Sequence, residues 1–365
     1  MRNQLARGAL AACLAAAVAA AQAPASEDNR IGSQRFGEPR LGDGGGGDDW
    51  RARSDWAGET PQGDEYSLHS LFQQHHGDFM NRRERFRPQI QLGASFWPNQ
   101  RIKDEPGSFD MIGYHADIDA PVLVSPDGYL KFGAYYQGRR YQFSSAFGSR
   151  GNIGNIPDDT LHAAGVKLGF GVFLDDAGNV LFEAETRPGA WSDLDGTLHH
   201  EDFDFPSHAM FTLRAMDNLF FKVGARYNQV FEDAPWLPIL GISWEIVDGF
   251  RLDLLAPERV ELSYWTSPAF GILFGAEVWG AEYHVRTSLQ GQENNPPGRA
   301  NARVQEVVTY LGLVNRINDY TSFAARAGLV VAGDYDLTSG ANGFDYADGA
   351  LDQGFFADFS FGVNF

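Results

Sequence analysis

From residue 88 onward, apolar and polar residues alternate with a period of two, which is the period of a β-strand. The clearest segment is 354–365, where the odd-numbered positions from Phe355 onward are apolar and the even-numbered positions are mostly small or polar. Similar alternation elsewhere predicts about fourteen strands, near 88–97, 109–121, 128–139, 160–174, 179–187, 207–215, 219–230, 237–246, 249–255, 259–266, 270–285, 304–316, 320–332 and 354–365. Twelve or sixteen strands also fit, because segment 249–266 is hard to divide.

Strands with one apolar and one polar face predict an all-β fold, a transmembrane antiparallel β-barrel. In bilayer hydrocarbon, every backbone N–H and C=O must be paired within the protein. A closed barrel achieves this with tilted strands of about 9–11 residues. The alternative is a soluble sandwich or a secreted barrel whose apolar face packs inward. That alternative would have to form its whole surface from the polar faces, so the membrane barrel is favoured.

The predicted connections alternate in length. Tight turns are predicted at one end of the barrel, near 126–128, 175–178, 216–218, 247–249, 266–268 and 318–319. Long loops are predicted at the other end, near 98–108, 140–159, 188–206, 286–303 and 333–353. This division is typical of membrane barrels. The exception is 254–258, which predicts a tight link where a long loop is expected.

Four regions divide the chain. Residues 1–23 combine a basic start, a short apolar run and an Ala-x-Ala site, which predicts a cleaved secretory signal peptide. Residues 24–65 are rich in Gly and Asp and predict a disordered linker, because such a composition cannot bury a core. Residues 66–85 predict a short amphipathic helix that either plugs the lumen or lies outside it, and residues 86–365 predict the barrel.

Charge and cysteine content narrow the function. The chain has 29 Lys and Arg residues against 48 Asp and Glu residues, a formal charge of −19. Nucleic acid requires a basic surface, so we expect no nucleic-acid partner. The single cysteine, Cys13, lies in the predicted signal peptide, so the mature chain is expected to have neither a disulfide nor a thiol nucleophile.

The alternating segment that ends on Phe365 resembles the C-terminal strand of bacterial outer-membrane barrels. The resemblance implies that Phe365 belongs to the signal read by the barrel-insertion machinery. It also implies location in the bacterial outer membrane, with outer-membrane lipid as a partner. Segments 235–244 and 254–265 resemble a family of barrels that is classed as a domain of unknown function, over about residues 86–365. That family implies a fold and no active site.

The polar faces of the predicted strands give the candidate lumen-lining residues. In the predicted barrel these are Lys131, Lys167, Glu183, Glu185, Arg214, Lys222, Arg226, Glu245, Glu277, Glu306, Arg326 and Asp358. Charges there require either water or a network of ion pairs. The pattern is therefore compatible with an aqueous pore or with an interior cross-braced by salt bridges. Lys222, Arg226 and Arg326 form a candidate basic cluster that would favour anions.

The sequence offers little enzymatic chemistry. It contains no Gly-x-Ser-x-Gly motif, and neighbours in a strand such as Ser207 and His208 point to opposite faces. We therefore expect no catalytic residues, no cofactor and no metal site. The acidic segments 188–206 and 333–352 lack the spacing of a calcium loop and are interpreted as solvated.

These features predict a passive pore for small polar solutes. The first alternative is a sealed structural barrel whose loops contact partners or lipid. The second is an outer-membrane lipid hydrolase.

Overall fold

The computed structural model describes most of the predicted barrel. The described residues are 88–101, 103, 108–125, 128–143, 160–175, 179–194, 198–216, 218–227, 235–267, 269–286, 299–318, 320–339 and 345–364. The predicted signal peptide, linker and helix lie outside these residues, as does Phe365. No helix in the described part of the chain is long and apolar enough to cross a bilayer.

Seventeen strand segments and one short 3-10 helix, η1 (His200–Asp202), make up the described fold. The strand segments are β1 (Gln89–Arg101), β2 (Ser108–Ser125), β3 (Gly128–Phe143), β4 (Thr160–Phe173), β5 (Val180–Thr186), β6 (Gly189–Ser192), β7 (Phe203–Asp204), β8 (Ser207–Met216), β9 (Leu219–Tyr227), β10 (Trp236–Val247), β11 (Phe250–Ala256), β12 (Arg259–Ser267), β13 (Phe270–Arg286), β14 (Arg299–Asn318), β15 (Thr321–Ser339), β16 (Asp345–Ala350) and β17 (Gly354–Asn364).

These segments form one closed antiparallel barrel of fourteen strands. The segment pairs β5 with β6, β7 with β8, and β16 with β17 are each one barrel strand with a short interruption. The first and last strands close the ring, with Ala94 directly opposite Phe359, while on its other side Ala94 lies opposite Tyr114. The structure thus confirms the predicted all-β barrel and its fourteen strands.

The end of the barrel with the tight turns, here called the lower half, has an apolar outer face. On β4, Val166, Leu168 and Phe170 point outward and are 37%, 44% and 42% exposed, whereas Lys167 between them is buried. The outward residues of the other strands continue this band, including Leu92, Ile118, Phe132, Phe211, Val223, Leu240, Phe274, Leu313, Leu329 and Phe361. Such a continuous exposed apolar band is costly in water and suits acyl chains.

The opposite end, here called the upper half, reverses this polarity. On β13, Phe274 faces outward below, but farther up the same strand the outward positions hold Glu282 and His284. The inward positions change from Glu277 to Ala281 and Tyr283, which are 1% and 0% exposed. The upper half therefore has the polarity of a water-soluble protein, with an apolar interior and a polar surface.

A packed apolar core fills the upper half. Its members are inward side chains, including Trp97, Phe109, Met111, Tyr141, Leu161, Ala163, Ala281, Tyr283, Ala300, Ala302, Val304, Tyr335, Leu351 and Phe356. Trp97 packs against Trp279 and Phe356, with ring centroids 5.2 and 6.1 Å apart. The lumen is thus occupied by side chains at this end.

The upper half is built by fewer strands than the lower half. Strands β8 to β12 stop early and are here called the short wall, whereas β13, β14 and β15 continue upward beyond them. Above the short wall, β6 meets β13, with Ser192 and His284 paired in parallel. Trp191 stacks near Tyr283 at 5.8 Å and near Tyr135 at 6.1 Å.

The predicted long loops are partly wrong, because strand structure extends into them. Segment 188–206 contains β6, η1 and β7, while β14 begins at Arg299 and β15 reaches Ser339. The strands in these regions lack an apolar outer face, since they lie in the upper half. A prediction that relies on apolar outward positions therefore ends each of these strands too early.

The tight turns lie where predicted. Between β10 and β11, Gly249 has a φ of +79°, a conformation that an L side chain rarely adopts, and Gly249 O accepts a hydrogen bond from Trp265 N–H at 2.8 Å. The link between β11 and β12 is also tight, with Glu258 N–H donating to Leu255 O at 2.7 Å. This short link ends the short wall and positions the site described next.

Candidate functional site: a polar chamber inside the barrel

A chamber of about 430 Å³ lies inside the barrel, beneath the apolar core of the upper half. Since a water molecule occupies about 30 Å³ in the liquid, this volume would hold roughly a dozen waters. The charged and polar residues lining it are Ser95, Tyr114, His115, Gln137, Arg139, Arg226, Glu258, Arg259, Glu277, Arg326 and Asp358. Trp97 and Trp279 line the chamber as well and belong to the apolar core above.

Arg326 on β15 is the most constrained charge in the chamber. Its Nη1 lies 3.0 Å from Glu277 Oε2 and its Nη2 lies 2.9 Å from Asp358 Oδ2. The guanidinium carbon is also 5.4 Å from the ring centroid of Trp279 and 5.1 Å from that of Tyr310. Two carboxylates and two aromatic faces therefore fix one guanidinium at the wall.

A second ion pair joins two strand ends. Arg226, at the upper end of β9, places Nη1 2.6 Å from Oε2 of Glu258 in the β11–β12 link. With Arg326 this accounts for all three carboxylates of the chamber, Glu258, Glu277 and Asp358. The lining thus contains side chains of both charges, namely four guanidinium groups and three carboxylates.

Below the chamber, the inward charges pair with each other, either within one strand or between strands that are two apart in the barrel. Lys167 forms ion pairs with Asp117 and Asp119, the second at 3.1 Å. Arg251 lies 2.7 Å from Asp253, and both side chains are less than a tenth exposed. Pairing of this kind offsets the cost of burying charge, and it braces the wall of the lumen.

The structure places the twelve predicted lumen-lining residues as follows. Glu277, Arg326, Asp358 and Arg226 line the chamber, and Lys167 is in the Asp117–Asp119 pair. Glu185 pairs with Arg187 at 2.7 Å, Glu183 accepts a hydrogen bond from Tyr129, and Lys131 lies 5.7 Å from the Tyr129 ring. Arg214 lies opposite Phe220, Lys222 opposite Gly241, Glu245 opposite Arg251 and Glu306 opposite Trp279.

The predicted basic cluster is not an isolated patch of positive charge. Arg226 and Arg326 line the same chamber, but each is paired with carboxylates, and Lys222 is outside the lining. The register between strands, which brings Arg326 directly opposite Asp358, is the physical reason.

Trp97, Trp279 and Glu258 are chamber-lining residues that the sequence interpretation missed. It sought polar inward residues, so it passed over Trp279, although this residue is two positions from Glu277 on the same face of β13. The sequence pattern predicts only a tight link at Glu258. The position of this residue at the end of the shortest hairpin is the signal that could have identified it.

The described residues show no catalytic arrangement of the types considered. Ser207 lies opposite outward Tyr227 and His208 lies opposite inward Arg226, so the two side chains point to opposite faces. Within the described part of the chain, no group of three or more His, Cys, Asp or Glu side chains is placed to hold a metal ion.

Several solved structures are similar to this chain at low identity and with TM-scores below 0.5. The outer membrane channel COG4313 of Pseudomonas putida F1 is 11% identical with a TM-score of 0.40, covering 77% of this chain and 96% of its own. A Pseudomonas aeruginosa FadL homologue is 9% identical with a TM-score of 0.39, covering 76% and 90%. The P. putida toluene transporter TodX is 10% identical with a TM-score of 0.37, again covering 76% and 90%. No curated protein matches the chain.

The closed ring of fourteen antiparallel strands and its apolar outer band define the class of protein, a β-barrel of the outer-membrane type. Within that class, residues 187–359 match the family model described as Domain of unknown function (DUF6268). The match confirms the resemblance of the sequence to a domain of unknown function. It begins within the β5–β6 strand and includes the short wall and all three acidic residues of the chamber.

Proposed function

We propose that this protein is an outer-membrane channel of low conductance for small polar solutes, with the chamber as its widest part. One observation carries the proposal: a polar cavity of about 430 Å³ lies inside a barrel whose outer face suits lipid. A lining with both charges would accept polar solutes without strong selection for one sign. The packed core above and the ion pairs below would keep the current small.

We propose the bacterial outer membrane as its location and lipid as its surrounding partner. The outward apolar residues of the lower half support this, since they form a band on every part of the ring that is described. Insertion by the barrel-insertion machinery is part of the same proposal. The upper half, with its polar outer face, would stand in water on the far side of the membrane from the tight turns.

Planar-bilayer recording of the folded full-length protein tests the channel. We expect small, steady current steps in potassium chloride. Gln137→Trp, which places a large ring in the chamber, should reduce the step size at least twofold. The matched control is Gln142→Trp, because Gln142 is exposed on the same strand outside the chamber. A well-folded barrel that passes no current would contradict the proposal.

A sealed structural barrel is the second candidate. It is favoured by the filled upper half and by the direct pairing of inward charges, such as Arg251 with Asp253. It predicts silence in the bilayer and no swelling of liposomes in small sugars. We propose no enzymatic activity and no cofactor, and a lipid hydrolase assay on the folded protein that showed turnover would contradict this part.

A further inference from the structure

The apolar core of the upper half leaves the chamber without a direct axial path to the outside. Trp97 and Phe356 in this core are each 2% exposed, and Tyr283 above them is 0% exposed. Opening this end would separate many packed side chains, each contributing about 1.5–3 kcal/mol of burial. A solute that reaches the chamber through the structure as it stands therefore needs another route.

The barrel wall is low on one side of the chamber. Strands β11 and β12 end at the Ala256–Arg259 link, while β13 continues through residues 278–286. The last backbone bond across this step is from Val278 N–H to Glu258 O at 2.8 Å. Among the described strands, none pairs with residues 279–283 of β13 on the side of β12. The backbone pairing of β6 with β13 joins Ser192 to His284, and the rings of Trp191 and Tyr283 pack beside it.

Exposure of the charged side chains identifies the same place. Arg226 and Glu258, at the top of the short wall, have side chains that are 34% and 21% exposed. Arg251 and Asp253, lower on the same side of the barrel, are only 4% and 7% exposed. The accessible surface of the inward charges on this side therefore rises toward the top of the short wall. Arg326 and Glu277, which line the chamber itself, are similarly exposed at 24% and 25%, so the accessible region extends from the chamber to this rim.

Aromatic residues mark the level of this rim. Tyr227 stacks on Phe205 at 5.4 Å and packs near Trp236 at 5.2 Å, all at the upper ends of short-wall strands or just beyond them. Trp236 is 66% exposed and Phe205 is 54% exposed. Outward aromatic residues typically form a girdle at the boundary between acyl chains and water. The rim thus lies at the outer surface of the membrane in the proposed orientation.

We propose that the chamber opens sideways, through a gap between the β11–β12 link below and the β6–β13 contact above. The Arg226–Glu258 ion pair forms the lower edge of this side opening. Small polar solutes pass through it at the membrane surface and do not cross the apolar core. This inference rests on the proposed channel function and specifies its outer entrance.

Single cysteines test the opening. In a Cys13→Ala background, Glu258→Cys should react quickly with a small sulfonated methanethiosulfonate, whereas Val304→Cys in the apolar core should react at least tenfold more slowly. Coupling a polyethylene-glycol maleimide to Glu258→Cys should remove most of the bilayer current. The same reagent on Asp248→Cys, in the exposed turn at the opposite end, should leave the current unchanged.

A disulfide distinguishes the side opening from an axial path. Ser192 and His284 are paired residues on β6 and β13, so Ser192→Cys with His284→Cys would lock the contact above the opening. We expect the oxidised and reduced forms to carry the same current. Loss of current on oxidation, restored by reductant, would overturn the proposal because it would show that solutes need β6 and β13 to separate.

A third measurement separates this inference from the channel itself. His115→Cys places a thiol in the chamber, and its labelling by the small reagent needs no current. In the double variant with Glu258→Cys, prior coupling of the polyethylene-glycol maleimide should slow labelling at position 115 at least tenfold. If the barrel is silent and this protection is seen, the channel fails and the side opening stands. If labelling at 115 is unchanged, the side opening fails.

Discussion

Trp191 and Tyr283 bring their ring centroids within 5.8 Å of each other, although the five strands of the short wall separate their strands in the lower half of the barrel. This contact shows that the ring narrows as it rises, because β6 crosses above the short wall to reach β13. The protein therefore combines a wide lower half, whose interior holds the paired charges together with Trp265, Leu273 and Val314, with a narrow upper half whose interior is mostly apolar. The chamber lies where the two meet.

Removing the Trp191 ring should loosen the narrow half. Trp191→Ala is expected to lower the free energy of unfolding by about 2 kcal/mol, below the usual cost of a fully buried Trp because Trp191 is only partly buried. Guanidinium unfolding of the detergent-folded barrel measures this. Arg140→Ala, at an exposed site on β3, is the control and should change stability little. Equal effects of both substitutions would contradict the assigned contact.

The reversal of polarity along the barrel predicts that an outward-facing arginine is costly in the lower half and tolerated in the upper half. Leu313→Arg places a charge on the lipid-facing side of β14 and should cost about 2–4 kcal/mol near the bilayer midplane. Gln305→Arg, on the outer face of the same strand in the upper half, should cost almost nothing. Folding yield into liposomes measures both, and a large loss at position 305 would show that the upper half also lies in lipid.

An inward charge in the upper half should be severe. Val304 is 2% exposed within the apolar core, so Val304→Asp would bury a carboxylate among packed apolar side chains. We expect the free energy of unfolding to fall by several kcal/mol, or the chain to fail to fold, because a charged carboxylate is strongly disfavoured there. Protease resistance of the folded fraction and its melting temperature report the effect. Wild-type values for both would refute the packed core.

Arg326 should stabilise the fold mainly by neutralising Glu277 and Asp358. Arg326→Met leaves two carboxylates unpaired and should cost about 2 kcal/mol, less than a fully buried pair because these groups are partly exposed. Adding Glu277→Gln and Asp358→Asn should restore most of the loss. Guanidinium unfolding of the single and triple variants tests this. A triple variant no more stable than Arg326→Met would contradict the pairing.

Acid should weaken the β4–β5 turn through Asp175. Its carboxylate accepts hydrogen bonds from Val180 N–H at 2.8 Å and from Asn179 Nδ2 at 3.2 Å. Desolvation alone would raise the pKa of Asp175, but these hydrogen bonds outweigh it and hold the pKa below its usual range. The folded state therefore binds the proton less tightly than the unfolded chain. The stabilisation is complete above the ordinary carboxyl pKa and is lost as pH falls through the lower folded pKa.

Asp175→Asn measures this contribution. The difference in unfolding free energy between the wild type and the variant should stay constant from about pH 7 to pH 5 and shrink from about pH 4 downward. A difference that grows on acidification would show that the pKa is raised. Asp248→Asn serves as the control in another exposed turn.

Strand segments and their faces could be predicted because they follow from local chemistry. In the lower half the outward positions form the apolar band. Apolar residues such as Val166, Leu168 and Phe170 therefore recur at every second position of a strand. The same pattern ends where the outward face meets water. For this reason the sequence pattern predicts loops where the upper ends of β14 and β15 lie, at residues 299–303 and 333–339. Their inward residues were then not recognised as a core.

The sequence by itself determined that the chain alternates, that it makes a barrel of about fourteen strands and that the charges of these strands lie on the face opposite the apolar one. Tertiary structure alone decided which charges meet. Arg326 lies directly opposite Asp358 on the neighbouring strand β17. Glu277, its other partner, lies on β13, two strands away from Arg326 on the other side. The narrowing of the ring at Ser192 and His284 is likewise invisible in the pattern, since it depends on five neighbouring strands that end below the top of β13. Register and strand ends are set by contacts between distant segments, and no local period encodes them.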